Sequence, residues 1–371
     1  MSGQCIGASP RRSGGYGRVT GLQQYVADVR LPETLYVKLV ILDTAHARIG
    51  SVDASQAERV PGVHLVMTAA DLPQPVPRYG PQFQDRPVSA VDEVKYHGEL
   101  VAAVAAESKD AAEEAAGLVR VEYEELPAVF TIADALATDA PLVQDPSLRK
   151  ADQFAQTNVL SEHRYEWGDV DSADADVDSA DADVVVEGTY SFPMVTHFAI
   201  EPHGFIAAPD GEGIAVWSSI QHPYWLQRTL AKVLGLPLSR VRVLAPDPGG
   251  AFGGKQHIKF EPLVAFMALR TGRPVRLILS LEEAFQAARR NSAEIRVRTG
   301  FTRDGVVTFR EIRADYLLGA YADISDRVVG KGVYPGNGPY RVPASRIVAR
   351  AILSHTPPST AMRGFGAPQV N

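Results

Sequence analysis

The chain has 371 residues, 45% of them hydrophobic and 22% charged, so it can bury a substantial core, and its length predicts about two or three domains. Its 31 glycines and 26 prolines favour turns and strands over long helices and exclude a coiled coil or a collagen. The formal charge of −7, without any run of basic residues, argues against nucleic-acid binding.

Near the amino end, Tyr36–Ile41 and Val63–Met67 are short apolar, β-branched runs bounded by turn residues, and they read as strands. Asp110–Leu118 is rich in Ala and Glu and reads as a helix; Val119–Tyr123 returns to strand alternation. This predicts an α/β domain over residues 1–133. Residues 134–183 read as a linker, because Asp171–Val177 and Asp178–Val184 both spell DSADADV and their closely spaced aspartates repel one another. A calcium loop is not expected there, since neither the loop glycine nor the closing glutamate of an EF-hand is present.

From Val184 the strand signals become dense: Val184–Glu187, Gly213–Ser218, Val241–Leu244, Val275–Ser280, Glu294–Val297 and Val306–Arg310. Helices fit Tyr224–Leu234, between Pro223 and Gly235, and Pro262–Arg270. Residues 184–371 therefore form a second, larger domain, and the expected fold class is α+β.

Cys5 is the single cysteine, whereas a disulfide takes two and an iron–sulfur cluster usually four, so any redox relay is expected on other chains. No apolar stretch approaches the ~18 residues of a membrane span, and Arg11-Arg12 precedes no apolar core of a secretion signal. A cytoplasmic location is expected. His197, Glu201 and His203 lack the spacing of a zinc site and read as structural residues.

Three loops stand out. Residues 249–254 hold four glycines between a strand and a helix, baring backbone amides to an oxygen-rich ligand. Gly249, Gly254 and Lys255 approach a phosphate-loop pattern, which fails because Gln256 stands where a Ser or Thr would hold Mg²⁺. A second loop, Arg363-Gly-Phe365-Gly, combines a guanidinium fork with an aromatic face. In the third, Trp217-Ser-Ser-Ile-Gln221, a strand ends in an amide able to donate to an oxo or carbonyl group.

With these loops the sequence resembles the molybdenum subunit of the xanthine oxidase family of molybdenum hydroxylases. Thr44–Ile49, Ala90–Glu99 and Val121–Pro127 resemble the family's α/β hammerhead domain. Glu201–Gly204, Gln221, Gly249–Lys255 and Arg363–Gln369 resemble the first half of its α+β molybdopterin-binding domain. The resemblance implies that Gln221, Phe252, Gly253 and Arg363 contact a molybdenum–molybdopterin cofactor, and that Phe365, Gln256 and Lys331 contact the substrate. No side chain is expected to ligate the metal, which the pterin dithiolene holds. The family hydroxylates a small molecule, an N-heterocycle or an aldehyde, with oxygen from water. Its electrons leave through 2Fe–2S clusters, commonly to FAD, here expected on an Fe–S subunit and an FAD subunit.

The sequence departs from the family in three places. Gln256 and Lys331 stand where xanthine-specific members carry a glutamate and an arginine, so xanthine is not expected. The Arg363–Phe365 loop lacks the cysteine of carbon-monoxide-oxidising members, so neither is CO. The general base lies in a carboxy-terminal half with no counterpart here; no catalytic residue is expected on this chain, and a second molybdopterin-domain chain is expected to complete the pocket. A truncated, inactive member and a non-catalytic binding or assembly protein remain the alternatives.

Overall fold

The computed structural model describes residues 6–149, 152–171 and 182–371. Cys5 and most of the DSADADV duplication lie outside the described residues.

The largest sheet has seven strands in the order β13 (Val241–Leu244), β12 (Gly213–Ser218), β11 (Gly204–Asp210), β14 (Val275–Ile278), β1 (Leu35–Ile41), β7 (Leu100–Ala106) and β3 (Val63–Thr68). One sheet thus joins strands from both expected domains: β1 pairs in parallel with β14 through Leu35↔Val275. The strand Leu-Val-Ala-Ala-Val-Ala-Ala of β7 is buried throughout because it is covered on both faces. Ala103 and Ala105 join the core that includes Leu226, Leu230, Leu263 and Met267, whereas Ala102 and Val104 pack with Ala115 of the helix Lys109–Leu118.

The helix Pro223–Leu234 opens on Pro223 and stops where Gly235 turns left-handed at φ 67°. The helix Glu261–Thr271 is buried over most of Glu261–Ala268, exposes Leu269 and Arg270 in its last turn, and ends likewise at Gly272, φ 66°.

A second sheet has five strands in the order β10 (Val184–Phe192), β15 (Ser292–Phe301), β16 (Val307–Gly319), β17 (Ala344–Leu353) and β9 (Val159–Trp167). Its inner face buries Ile295, Ile312, Ala314, Tyr316, Ile347 and Ala349. Strand β9 falls inside residues 134–183, read above as a linker. That reading fails for Val159–Trp167, an edge strand whose charged Glu162, Arg164 and Glu166 occupy the open face and whose Ser161 and His163 bond Asp326 on the other, a polar run that masks the strand signal. Two small sheets complete the fold: β6 (Glu93–Val94), β2 (Ala47–Asp53) and β8 (Arg120–Glu125), and the pair β4 (Arg78–Tyr79) and β5 (Arg86–Pro87).

Candidate active site

Strands β12 and β13 run parallel, with Trp217 opposite Leu244, so the chain leaves both at the same end of the sheet. Ligands of open α/β sheets collect at such carboxyl ends. From β12 the chain passes through Gln221 into the helix Pro223–Leu234; from β13 it enters the glycine loop that precedes the helix Glu261–Thr271.

The two exits are tied together. Gly253 N–H donates to Gln221 Oε1 at 3.2 Å, and Gln221 N–H donates to Lys255 O at 2.8 Å. With its oxygen committed, the Gln221 amide turns its NH₂ to the exposed side.

The third loop closes onto the same turn. Arg363 N–H donates to Phe252 O at 2.8 Å, and the Arg363 guanidinium lies 5.7 Å from the centre of the Phe252 ring. Glycine is required at 253: its φ is 101°, and a Cβ there would lie 2.3 Å from Ala361 O. Phe252 and Phe365 both hold left-handed φ values, 49° and 53°, a strain the surrounding bonds must impose.

A buried clasp holds the glycine loop from behind. Glu201 Oε2 accepts from Gly249 N–H and from Lys255 Nζ, each at 2.7 Å, and Lys255 Nζ also donates to Glu201 O at 2.8 Å. His203 Nε2 donates to Gly254 O at 3.2 Å, and His197 Nε2 to Ala361 O at 2.7 Å. Burial drives the His203 pKa down to about 3, so its ring is neutral. His197 and His203 each hydrogen-bond a backbone carbonyl, and Glu201 and His203 shape the glycine loop itself, a role the sequence reading missed.

Of the expected substrate contacts, Gln256 is half-buried beside the turn; its N–H donates to Gly253 O at 3.1 Å, and its Oε1 is buried without a partner. Phe365 packs against Ile324, Val328 and Ala361. Lys331 is exposed on the helix Ser325–Val333; that helix touches the third loop where Gly332 approaches Gly366. These bonds bring Gln221, Phe252, Gly253 and Arg363 together, with Gln256 beside them, whereas Phe365 packs between the third loop and the helix Ser325–Val333 that carries Lys331.

Comparison with known proteins agrees with this architecture. Residues 20–127 match the aldehyde oxidase and xanthine dehydrogenase a/b hammerhead domain, and residues 152–371 match the molybdopterin cofactor-binding domain. The chain belongs to the xanthine oxidase family of molybdopterin-binding oxidoreductases. It is 32% identical to the nicotinate dehydrogenase large molybdopterin subunit of Eubacterium barkeri, over 99% of this chain and 83% of that one. A probable xanthine dehydrogenase component of Bacillus subtilis is 31% identical over 97% of this chain and 46% of its own length. Among solved structures, the aldehyde oxidoreductase of Desulfovibrio gigas superposes with a TM-score of 0.89 at 29% identity, covering 97% of this chain and 40% of that one. Quinoline 2-oxidoreductase of Pseudomonas putida 86 gives 0.86 at 31% identity, over 98% and 46%. The chain therefore spans less than half the length of several relatives it matches.

Proposed function

We propose that the chain is one half of a molybdopterin-binding catalytic unit that hydroxylates an N-heterocycle or an aldehyde. In this reading a second molybdopterin-domain chain supplies the general base, and separate Fe–S and FAD subunits carry electrons away. The observation that carries the reading is the meeting of Gln221, the Phe252–Gly253 turn and Arg363 through direct hydrogen bonds, although the first and last are far apart in sequence.

The residues fit an anionic, oxygen-rich cofactor. Arg363 is exposed and pairs with no carboxylate among the described residues, the Gln221 NH₂ is available to donate, and Gln256 Oε1 is an unused acceptor. When bound, the molybdenum cofactor supplies two-electron redox chemistry. The chain's own residues would then act by placement: the Gln221 amide nitrogen would donate to an oxygen of the cofactor, Arg363 would hold a polar edge of the pterin, and Gly253 lets the glycine loop close against the segment before Arg363 that carries it. In this reading Gln256 would accept a hydrogen bond from the substrate, Phe365 would face a flat ring, and Lys331 would contact the substrate from its helix. The 83% coverage of the nicotinate dehydrogenase large subunit supports a divided catalytic unit.

Co-purification of the chain with the products of neighbouring genes tests this. A complex containing molybdenum, pterin and iron is expected, and Arg363→Ala should lower its pterin content. A stable chain that recruits neither metal nor partner contradicts the proposal.

A further inference from the structure

Strand β10 lies at one edge of the five-stranded sheet, bonded to β15 on one side and open on the other among the described residues. Its nine residues, Val-Val-Val-Glu-Gly-Thr-Tyr-Ser-Phe, pair with β15 without a register shift, so every second residue turns its N–H and C=O outward with no strand to meet them. Edges of this length are ordinarily blunted by a lysine, a proline, a bulge or a covering element. The strand carries none of the first three, and its apolar side chains are open to solvent, Val186 and Tyr190 to 56% each.

Such an edge is satisfied by another strand, and β10 is complementary to itself. Phe192 packs on the core of the sheet's inner face, so Val184, Val186, Gly188 and Tyr190, which alternate with the residues between them, share that face. An antiparallel second copy centred on Gly188 sets Val186 opposite Tyr190 and Val184 opposite Phe192, β-branched against aromatic, on the face that continues the core. Gly188 itself is roofed by its own Tyr190, whose hydroxyl oxygen would lie 2.7 Å from a Cβ there, so two bare glycines at the axis leave room for both rings.

The charges agree with this register. On the other face Thr189 is aligned with Arg296, and Arg296 stands directly opposite Arg313, a like-charge pair in which neither arginine meets a carboxylate among the described residues. Glu187 forms no ion pair among them either. Self-pairing puts Glu187 of the second copy opposite Thr189, about 10 Å of backbone from Arg296. The short threonine leaves the space between the two long side chains clear, so each copy brings the other's arginine the anion it lacks.

We propose that β10 is a contact between two copies of this chain, joined edge to edge about a two-fold axis at Gly188 so that their five-stranded sheets form one continuous sheet. The inference goes beyond the hydroxylase reading and does not depend on it, because β10 carries none of the residues assigned to cofactor or substrate.

Sedimentation equilibrium of the purified full chain, in the complex it forms, should find two copies per particle. Val186→Lys/Tyr190→Lys opposes like charges in both contacts and should weaken association at least about tenfold, whereas Val186→Lys/Tyr190→Glu opposes unlike charges in the same contacts and should keep it within about threefold of wild type. In the wild-type protein, hydrogen exchange should show the outward amides of residues 184–192 slowing as concentration drives the copies together. One copy per particle overturns the proposal, as do two copies that the Lys/Lys variant leaves intact or that both variants disrupt alike. If the variants fail to fold, exchange on the wild type decides: edge amides that are already protected in particles holding one copy assign the edge to a different subunit and overturn it.

Discussion

Lys255 Nζ lies 2.7 Å from Glu201 Oε2 inside the protein, with 2% and 9% of the two side chains exposed. Because the same carboxylate accepts the Gly249 N–H, one ion pair fixes both ends of the loop that presents Phe252 and Gly253. Removing either partner leaves a buried charge without its counter-ion. Glu201→Gln and Lys255→Met should each cost about 3–5 kcal/mol in denaturant unfolding, and the double variant should cost far less than their sum. Additive losses in that double-mutant cycle would show that the pair does not act as a clasp.

Gly253 offers a sharper probe of the site's closure. A methyl group at this position meets Ala361 O at 2.3 Å and forces an L-residue to φ 101°, so Gly253→Ala must part the glycine loop from the Arg363 segment. A loss of about 1–3 kcal/mol is expected, together with loss of the pterin from the assembled complex. Gly272→Ala is the control: its φ is also positive, 66°, but its Cβ would meet nothing within 4 Å, so about 1 kcal/mol and full pterin content are expected. If both variants keep the cofactor equally well, the close approach at Ala361 is irrelevant to binding.

The pH dependence of stability carries opposing contributions that two variants separate. Burial lowers the pKa of His203 to about 3, whereas the unfolded chain takes up that proton near pH 6.5. Between those values the unfolded state binds more protons, so the His203 contribution is intact above pH ~6.5 and is lost as pH falls, by up to about 1.4 kcal/mol per unit. Asp85 has the opposite sign. Burial raises its pKa to about 6, so the folded state holds the proton first and its contribution is lost as pH rises from about 4 to about 6. Relative to wild type, His203→Gln should gain stability as pH falls from 6.5 to 4.5, and Asp85→Asn should gain as pH rises across the same range. Denaturation midpoints measured at half-unit steps decide it; curves parallel to wild type would remove burial as the cause.

Short motifs pointed in the sequence to the three loops that the structure joins. Gln221 follows a strand ending, Gly253 sits among glycines that only a bare backbone requires, and Arg363 stands in a second glycine turn. Neither the clasp nor the seven-stranded sheet could be read in this way. Glu201 and Lys255 are separated by 54 residues with no periodicity to relate them, and the nearby histidines invited comparison with a metal site instead. Strand β7 was missed because four of its seven residues are alanine, a composition that favours helix until burial on both faces overrides it. The helix Ser325–Val333 was missed for the reverse reason: Gly330 and Gly332 argue against a helix, and their worth appears only where the chain packs closely, Gly330 near His163 and Gly332 near Gly366.

Arg346 supplies the last prediction, on the open face of the five-stranded sheet. The pairing register aligns Glu187 with Arg298, Arg298 with Glu311, Glu311 with Arg346 and Arg346 with Glu166, a row of alternating charge across all five strands. Arg346 is the junction of this row: it reaches Glu166 at 2.9 Å, Glu311 at 3.1 Å and Asp171, the first residue of the acidic duplication, at 2.6 Å. Hydrogen bonds from Arg164 and then Arg346 hold the Glu166 carboxyl below its usual range, and the Arg346 hydrogen bond does the same for Asp171. Arg346→Met leaves three carboxylates clustered around an apolar side chain and should lower the denaturation midpoint at low ionic strength. Because the row faces solvent, most of that loss should vanish in 1 M salt, where the screening length is about 3 Å. Arg346→Lys should recover only part of it, since a single ammonium cannot serve three carboxylates with the geometry of a guanidinium fork. A loss that persists unchanged in high salt would assign the destabilisation to lost packing of the arginine stem and remove the charge row as its origin.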